Sequence, residues 1–257
     1  MHHGLLAARG ETHHGPGGAE PWAWAEDELL IPSAGARLAV ISDIDDTVVH
    51  TGVANKLAMM WRLFATEAEA RVAFPGVGEL YRALHRGGPE SDDNPIFYVS
   101  RGPWSIYPVL EEFFVRRQIP VGPILLLRDW GIHLAHPWPR QARDHKRRLI
   151  DELLETYPEL PFVLIGDSGQ HDPEIYAEAT ARWGARIACS YIREVTGDPA
   201  REVEVRELAR RCAELGSEMV LAKDSTAMAE HAARRGFIVA ADASFVGVVD
   251  EREREAC

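Results

Sequence analysis

Asp43, Asp45 and Asp46, with Thr47 directly after them, are the residues of this chain whose types and spacing can do chemistry. They follow the short apolar run Leu38-Ala39-Val40-Ile41. Carboxylates this close repel one another, and the cluster is tolerable only if a cation neutralises it or one group stays protonated. An oxygen-only donor set suits Mg²⁺, which takes one or two protein carboxylates and completes its shell with waters and phosphate oxygens. A calcium loop counted from Asp43 would put Val48 where glycine is required and Ala54 where a bidentate glutamate is required, so that reading fails. A polar cap on a strand or helix end needs one acid, not three.

Further groups of the same kind recur at the ends of other apolar runs. Ile96-Phe97-Tyr98-Val99 leads into Ser100-Arg101-Gly102, Ile124 to Leu127 leads into Arg128-Asp129, and Phe162 to Ile165 leads into Gly166-Asp167. Lys146 precedes the stripe Leu149, Ile150, Leu153, Leu154 and Tyr157 by three and four residues, which puts it on the inward face of a helix predicted over 142–157. A buried ammonium is costly unless an anion meets it. Arg140, Arg143, Arg147 and Arg148 nearby read as surface ion-pairing groups. Asp172 before Pro173 suits a helix N-cap, whereas Asp167 has no capping role to explain it.

The collected groups are a carboxylate that can attack, a second carboxylate two residues on, a hydroxyl, a lysine and further acids. Phosphoryl transfer needs this set, with a nucleophile held in line and cationic and hydroxyl donors offsetting charge on the non-bridging oxygens. An aspartate nucleophile divides the reaction into two steps through an aspartyl-phosphate. Asp45 can protonate the leaving alkoxide and then deprotonate the attacking water.

These residues need elements to hold them. The run before Asp43 is short and β-branched with no helical period, fitting a strand buried on both faces of a parallel sheet; the other apolar runs are as short, and helical patterns alternate with them. Acids at strand carboxyl ends then open on the crevice where such sheets hold ligands. Helices are predicted over Val77–Leu84, around Pro108–Phe114, over 142–157, after Pro173, around Val205–Cys212 and from Asp224 or Ser225 to Gly236; strands are predicted over Arg186–Ile192 and Met219–Ala222, with a last strand from Phe237. Val53 to Ala70 is apolar over more than one helical face; it reads as a lid over the acidic site (50–74) or as a helix buried on two sides. Residues 1–36, rich in Gly, His, Pro and Ala, read as an extended or disordered lead-in to one domain over 37–257.

A chain of 257 residues with 46% hydrophobic content is large enough for one substantial α/β core. Its net charge of −12 disfavours nucleic acid as a partner. The cysteines, Cys189, Cys212 and Cys257, form no CxxC pair, which fits a reducing compartment and argues against zinc or a disulfide framework. No run is long enough to span a membrane, and Met1 to Gly10 has no signal-peptide core; the expected setting is cytoplasmic. No GxGxxG or GxxxxGK[ST] opens a helix, so dinucleotide and P-loop sites are not indicated. In a receiver-type signalling domain the lysine would follow every acid, but Lys146 precedes Asp167; a sugar-nucleotide transferase would need neither Lys146 nor the Gly166-Asp167 pair.

The order DxDxT, Ser, Lys, GD resembles the haloacid-dehalogenase superfamily. More closely, Ile41 to Val48, Phe97 to Trp104, Leu127-Arg128-Asp129, His145-Lys146 and Leu164 to Tyr176 resemble the catalytic domain of the actin-patch-associated phosphatidate phosphatases, over roughly 36–195. The resemblance implies a three-layer, Rossmann-like parallel sheet with a small or absent cap. It also implies Mg²⁺-dependent hydrolysis of phosphatidate to diacylglycerol and phosphate. Carried over, Asp43 is the nucleophile and Asp45 the general acid/base; Ser100 and Lys146 hold the phosphoryl group; Asp167 is the metal ligand beside Asp43 and Asp45, and Asp172 supports the metal shell. Thr47 and Arg101 are further phosphate contacts. Trp104, Trp130 and Trp138 could meet acyl chains in a peripheral membrane contact, or belong to the core. The rival substrate is a soluble phosphomonoester such as a sugar phosphate, nucleotide or phosphoprotein.

Overall fold

The computed structural model describes residues 30–44, 73–91, 93–127 and 140–256, with the side chains of 101–103, 105 and 140–143 outside that description. Among the described residues a six-stranded, all-parallel sheet runs in the order β3-β2-β1-β4-β5-β6. Its strands are β1 (Ala39–Asp43), β2 (Ile96–Pro103), β3 (Ile124–Leu127), β4 (Phe162–Asp167), β5 (Ile187–Arg193) and β6 (Glu218–Ala222). The helices are α1 (Val77–Arg86), α2 (Tyr107–Arg116), α3 (Arg140–Thr156), α4 (Asp172–Trp183), α5 (Pro199–Glu214), α6 (Ser225–Arg234) and α7 (Ala240–Glu255).

Period-two alternation sends successive strand residues to opposite faces, so each strand feeds two cores. Val40, Tyr98, Ile165 and Tyr191 pack with Leu80 and Tyr81 of α1, Phe114 of α2 and Met228 of α6. Ile41, Phe97 and Leu164 pack with Ile150 and Leu154 of α3, Tyr176 of α4 and Val205 of α5. Burying each large apolar side chain contributes about 1.5–3 kcal/mol, which is why a sheet apolar on both faces needs helices on both. The result is a three-layer, Rossmann-like α/β fold, consistent with the haloacid-dehalogenase type expected from the sequence.

The strand order reverses between β1 and β4, the topological switch point at which open α/β sheets form their ligand crevice. Asp43 ends β1 and Asp167 ends β4, so both acids reach that crevice. Apolar spacing locates the helices. In α1, Val77, Leu80, Tyr81 and Leu84 are buried, and Gly87, at φ +79°, caps the end as only glycine does comfortably. In α3, Lys146, Ile150 and Leu154 follow one another at i, i+4 and i+8 and all are buried.

Two expectations are corrected. The segment after Phe237 is not a last strand: α7 occupies Ala240–Glu255, with Ala243, Val246 and Asp250 buried at helical spacing. Phe237-Ile238-Val239 has strand composition, but helical packing decides the segment: Ala243 and Val246 belong to the same core as α1 and α6. Asp172 is not an N-cap: His171 takes that position and Asp172 opens the helix, its carboxylate turned into the crevice. Residues 1–29 of the lead-in and 45–72 of the lid segment lie outside the described residues.

Candidate active site

Asp43 shares the parity of Ala39 and Ile41 and faces the layer of α3 and α4. Lys146 comes down from α3 to meet it: Nζ lies 2.9 Å from Asp43 Oδ1 and also binds Asp172 Oδ1. The lysine is only 3% exposed. Burial alone would pull its pKa down, but Asp172 and Asp43 more than offset this and hold it above the ordinary lysine value, so the ammonium stays charged. The Tyr176 ring sits 5.8 Å from the same ammonium, and its hydroxyl donates to Ile165 O at 2.9 Å.

Asp167 and Asp172 flank a tight loop. Asp172 Oδ2 accepts from the Asp167 N–H at 3.2 Å, and Asp167 Oδ1 accepts from the Gly169 N–H at 2.7 Å. Gly166 is required for this fit, because a Cβ there would come within 2.3 Å of Asp172 Oδ2. Oxygen atoms of Asp43, Asp167 and Asp172 all lie within 4.8 Å of one another, and all three residues are buried. Three carboxylates face one ammonium, so the cluster has room for further positive charge. Its donors are all hard oxygens, the set that Mg²⁺ and similar cations take. The residues therefore fit a divalent cation.

Ser100 is buried on β2, one position beyond Val99, the residue paired with Asp43. The β2·β3 register shifts between Ser100 and Pro103, the sort of irregularity that re-aims side chains beside active sites. Arg101 belongs to β2, but its side chain is outside the description. Asp45, Asp46, Thr47, Arg128, Asp129, Trp130 and Trp138 lie outside the described residues. Among the arginines of α3, Arg147 pairs with Asp144 at 3.1 Å and Glu178 at 3.6 Å, and Arg148 is exposed.

Sequence reasoning missed the support behind the site. Arg201 of α5 donates to the Ser168 and Gln170 carbonyls and to Glu174, bracing the loop between the two acids. It lies beyond every motif, and no local pattern marks it. A second cluster of ligand-type side chains, Cys189, Glu218 and His231, lies toward the opposite end of β5 and β6. There His231 Nδ1 meets the Tyr191 hydroxyl at 3.0 Å, and its Nε2 lies 3.1 Å from Glu218, which Arg235 also holds. Burial pushes the Cys189 thiol up to about 12. With both ring nitrogens engaged and the thiol protonated, this is a hydrogen-bonded network rather than a metal centre.

Fold and site together define a doubly wound α/β protein that gathers acids and a lysine where its strand order reverses. The sequence matches the family described as "Phosphatidate phosphatase APP1, catalytic domain" over residues 38–194, and the chain belongs to that family. It is 31% identical over 183 residues to the Saccharomyces cerevisiae protein named phosphatidate phosphatase APP1, covering 69% of this chain and 30% of that protein. It is 30% identical over 162 residues to an uncharacterized Schizosaccharomyces pombe protein, covering 63% of this chain and 26% of that protein. The chain thus spans less than a third of the length of these curated relatives.

Proposed function

We propose that this chain is a phosphoric monoester hydrolase acting on phosphatidate, with Mg²⁺ as cofactor and an aspartyl-phosphate on Asp43 as intermediate. The observation that carries this reading is the buried Asp43–Lys146–Asp172 constellation, with Asp167 beside it, inside the family-matched span. The identity to the yeast phosphatidate phosphatase supports the lipid substrate.

Asp43, Asp167 and Asp172 would hold the cation, which when bound offsets charge on the phosphoryl oxygens. Lys146 fixes Asp43 through Oδ1 and adds positive charge where the phosphoryl group arrives. An Asp43 oxygen attacks phosphorus, the ester P–O bond breaks, and the leaving alkoxide takes a proton from Asp45. Water then attacks the phosphorus and gives its proton to Asp45. The Asp43–phosphorus bond breaks, releasing phosphate and restoring the carboxylate. Ser100, Thr47 and Arg101 contact the phosphoryl oxygens.

Trp104, 49% exposed just past the end of β2, stacks on Tyr107 with ring centroids 5.7 Å apart. An aromatic pair of this kind supports peripheral contact with a lipid interface. Among the described residues no helix is long and apolar enough to cross a membrane.

The test is phosphate release with Mg²⁺ from phosphatidate in mixed micelles, against a panel of soluble phosphomonoesters. Preference for phosphatidate is expected, as is loss of activity in excess EDTA. Preference for a soluble ester would overturn the substrate, and full activity in EDTA would overturn the cofactor. Asp43→Asn is expected to abolish turnover while leaving the circular dichroism spectrum unchanged; turnover at the wild-type rate would refute the nucleophile.

A further inference from the structure

The acids Asp167 and Asp172 are joined by a short loop, Ser168 to His171, and their spacing is only as fixed as that loop. Hydrogen bonds from β5 and its continuation hold its near side. Ser168 N–H donates to Arg193 O at 2.9 Å, and Ser168 Oγ accepts from the Val195 N–H at 3.1 Å. Its far side is held by one guanidinium. Arg201 Nε donates to Ser168 O at 2.8 Å, and Nη2 donates to Gln170 O at 2.8 Å. Nη1 donates to Glu174 Oε1 at 2.6 Å, and Nη2 to Glu174 Oε2 at 3.0 Å. Glu174 lies in the first turn of α4, two residues beyond Asp172. One rigid fork therefore ties the loop's first residue, its middle and the helix that carries Asp172.

Arg201 is itself well anchored. It stands in the first turn of α5, where Asp198 Oδ1 caps the helix by accepting from the Ala200 N–H at 2.9 Å and Pro199 fixes the first helical position. Glu204, one turn on, binds the same guanidinium at 3.0 Å. The side chain is only 16% exposed, so the pair with Glu174 is partly shielded from solvent. Arg201 lies outside the family-matched span of 38–194, while the loop it holds lies inside it.

We infer that Arg201, through Glu174 and the loop carbonyls, is a positioning residue that sets the spacing of Asp167 and Asp172 and thereby the affinity of the site for its divalent cation. This rests on the reading of Asp43, Asp167 and Asp172 as the cation site. Groups that orient metal ligands commonly alter metal affinity about 10–100-fold when removed. A lysine keeps the charge but has no planar fork, and cannot reach both carbonyls and the carboxylate at once.

The test is titration of the full chain with Mn²⁺, a spectroscopic stand-in for a hard cation, followed by electron paramagnetic resonance without substrate. Wild type, Arg201→Ala and Arg201→Lys are compared below their melting temperatures. The expected result is about 10-fold or greater weakening in Arg201→Ala and a clear weakening in Arg201→Lys. The activity lost by either variant should be recovered by raising Mg²⁺. A merely structural role would lower melting temperature and leave Mn²⁺ affinity of the folded chain unchanged. Should Arg201→Ala not fold, Arg201→Lys decides alone. Equal Mn²⁺ affinity in wild type and variant overturns this inference only; a wild-type chain that binds no Mn²⁺ overturns the cation site and the inference with it.

Discussion

Replacing Lys146 with methionine keeps most of the side chain's bulk and removes the one ammonium that meets both Asp43 and Asp172. All three groups are nearly inaccessible, so the two carboxylates left behind cannot turn to water. Removing one partner of a buried ion pair costs about 3–5 kcal/mol, because the stranded charge keeps its desolvation penalty. At about 2–4 °C per kcal/mol for a chain of this size class, the melting temperature should fall by roughly 6–20 °C. The pH dependence carries more information. In wild type Lys146 has a raised folded-state pKa, so its contribution is complete below the ordinary lysine value and is lost as pH rises through the higher folded value. The stability difference between wild type and variant should therefore be at full size from about pH 6 to 9 and shrink only above the ordinary lysine value of about 10.4. The assay is urea denaturation of both proteins at several pH values without divalent cations. A loss below about 1 kcal/mol with no pH dependence would refute a buried, charge-coupled lysine.

Gly166→Ala drives a methyl group into the Asp172 carboxylate, so overpacking should cost about 1–3 kcal/mol, with loss of activity and of Mn²⁺ binding read on the same sample. Unchanged Mn²⁺ affinity would show that the Gly166–Asp172 approach is not needed. His145 and His231 are both held below the ordinary histidine value, chiefly by burial. Their contribution to stability is complete above about pH 6.5 and is lost as pH falls through the lower folded-state values. Thermal melts from pH 7.5 to 5 should therefore show declining stability, less steeply in His231→Gln; identical slopes would remove His231 from the account.

The parts legible in the sequence were those governed by local pattern. Strand runs such as Val40-Ile41 and Leu164-Ile165 announce themselves because a sheet covered on both faces needs apolar residues on every position. Lys146 was legible because helical periodicity carries direction as well as burial: a lysine at i−4 from Ile150 must share its face. What failed was decided at long range. Phe237-Ile238-Val239 has strand composition, but the α7 residues after it found helices to pack on. Asp172 next to proline looked like a cap because capping is a neighbour effect, whereas its position is settled by a lysine on another helix. Arg201 carries no local signal, since its partners are backbone carbonyls that any sequence supplies.

The adjacency of β1 and β4 also bears on how the protein acquires its site. These strands are neighbours in the sheet, yet among the described residues β2, β3 and the α-helices α1, α2 and α3 lie between them in the chain. Closing so long a loop is entropically slow, and such non-local pairings set folding rates. Asp43 can meet Asp167 and Asp172 only once that closure is complete. A nascent chain halted before Phe162 would carry Asp43 without the acids that lie beside it in the folded chain. During refolding, cation capture should coincide with the slowest global phase and not with early collapse.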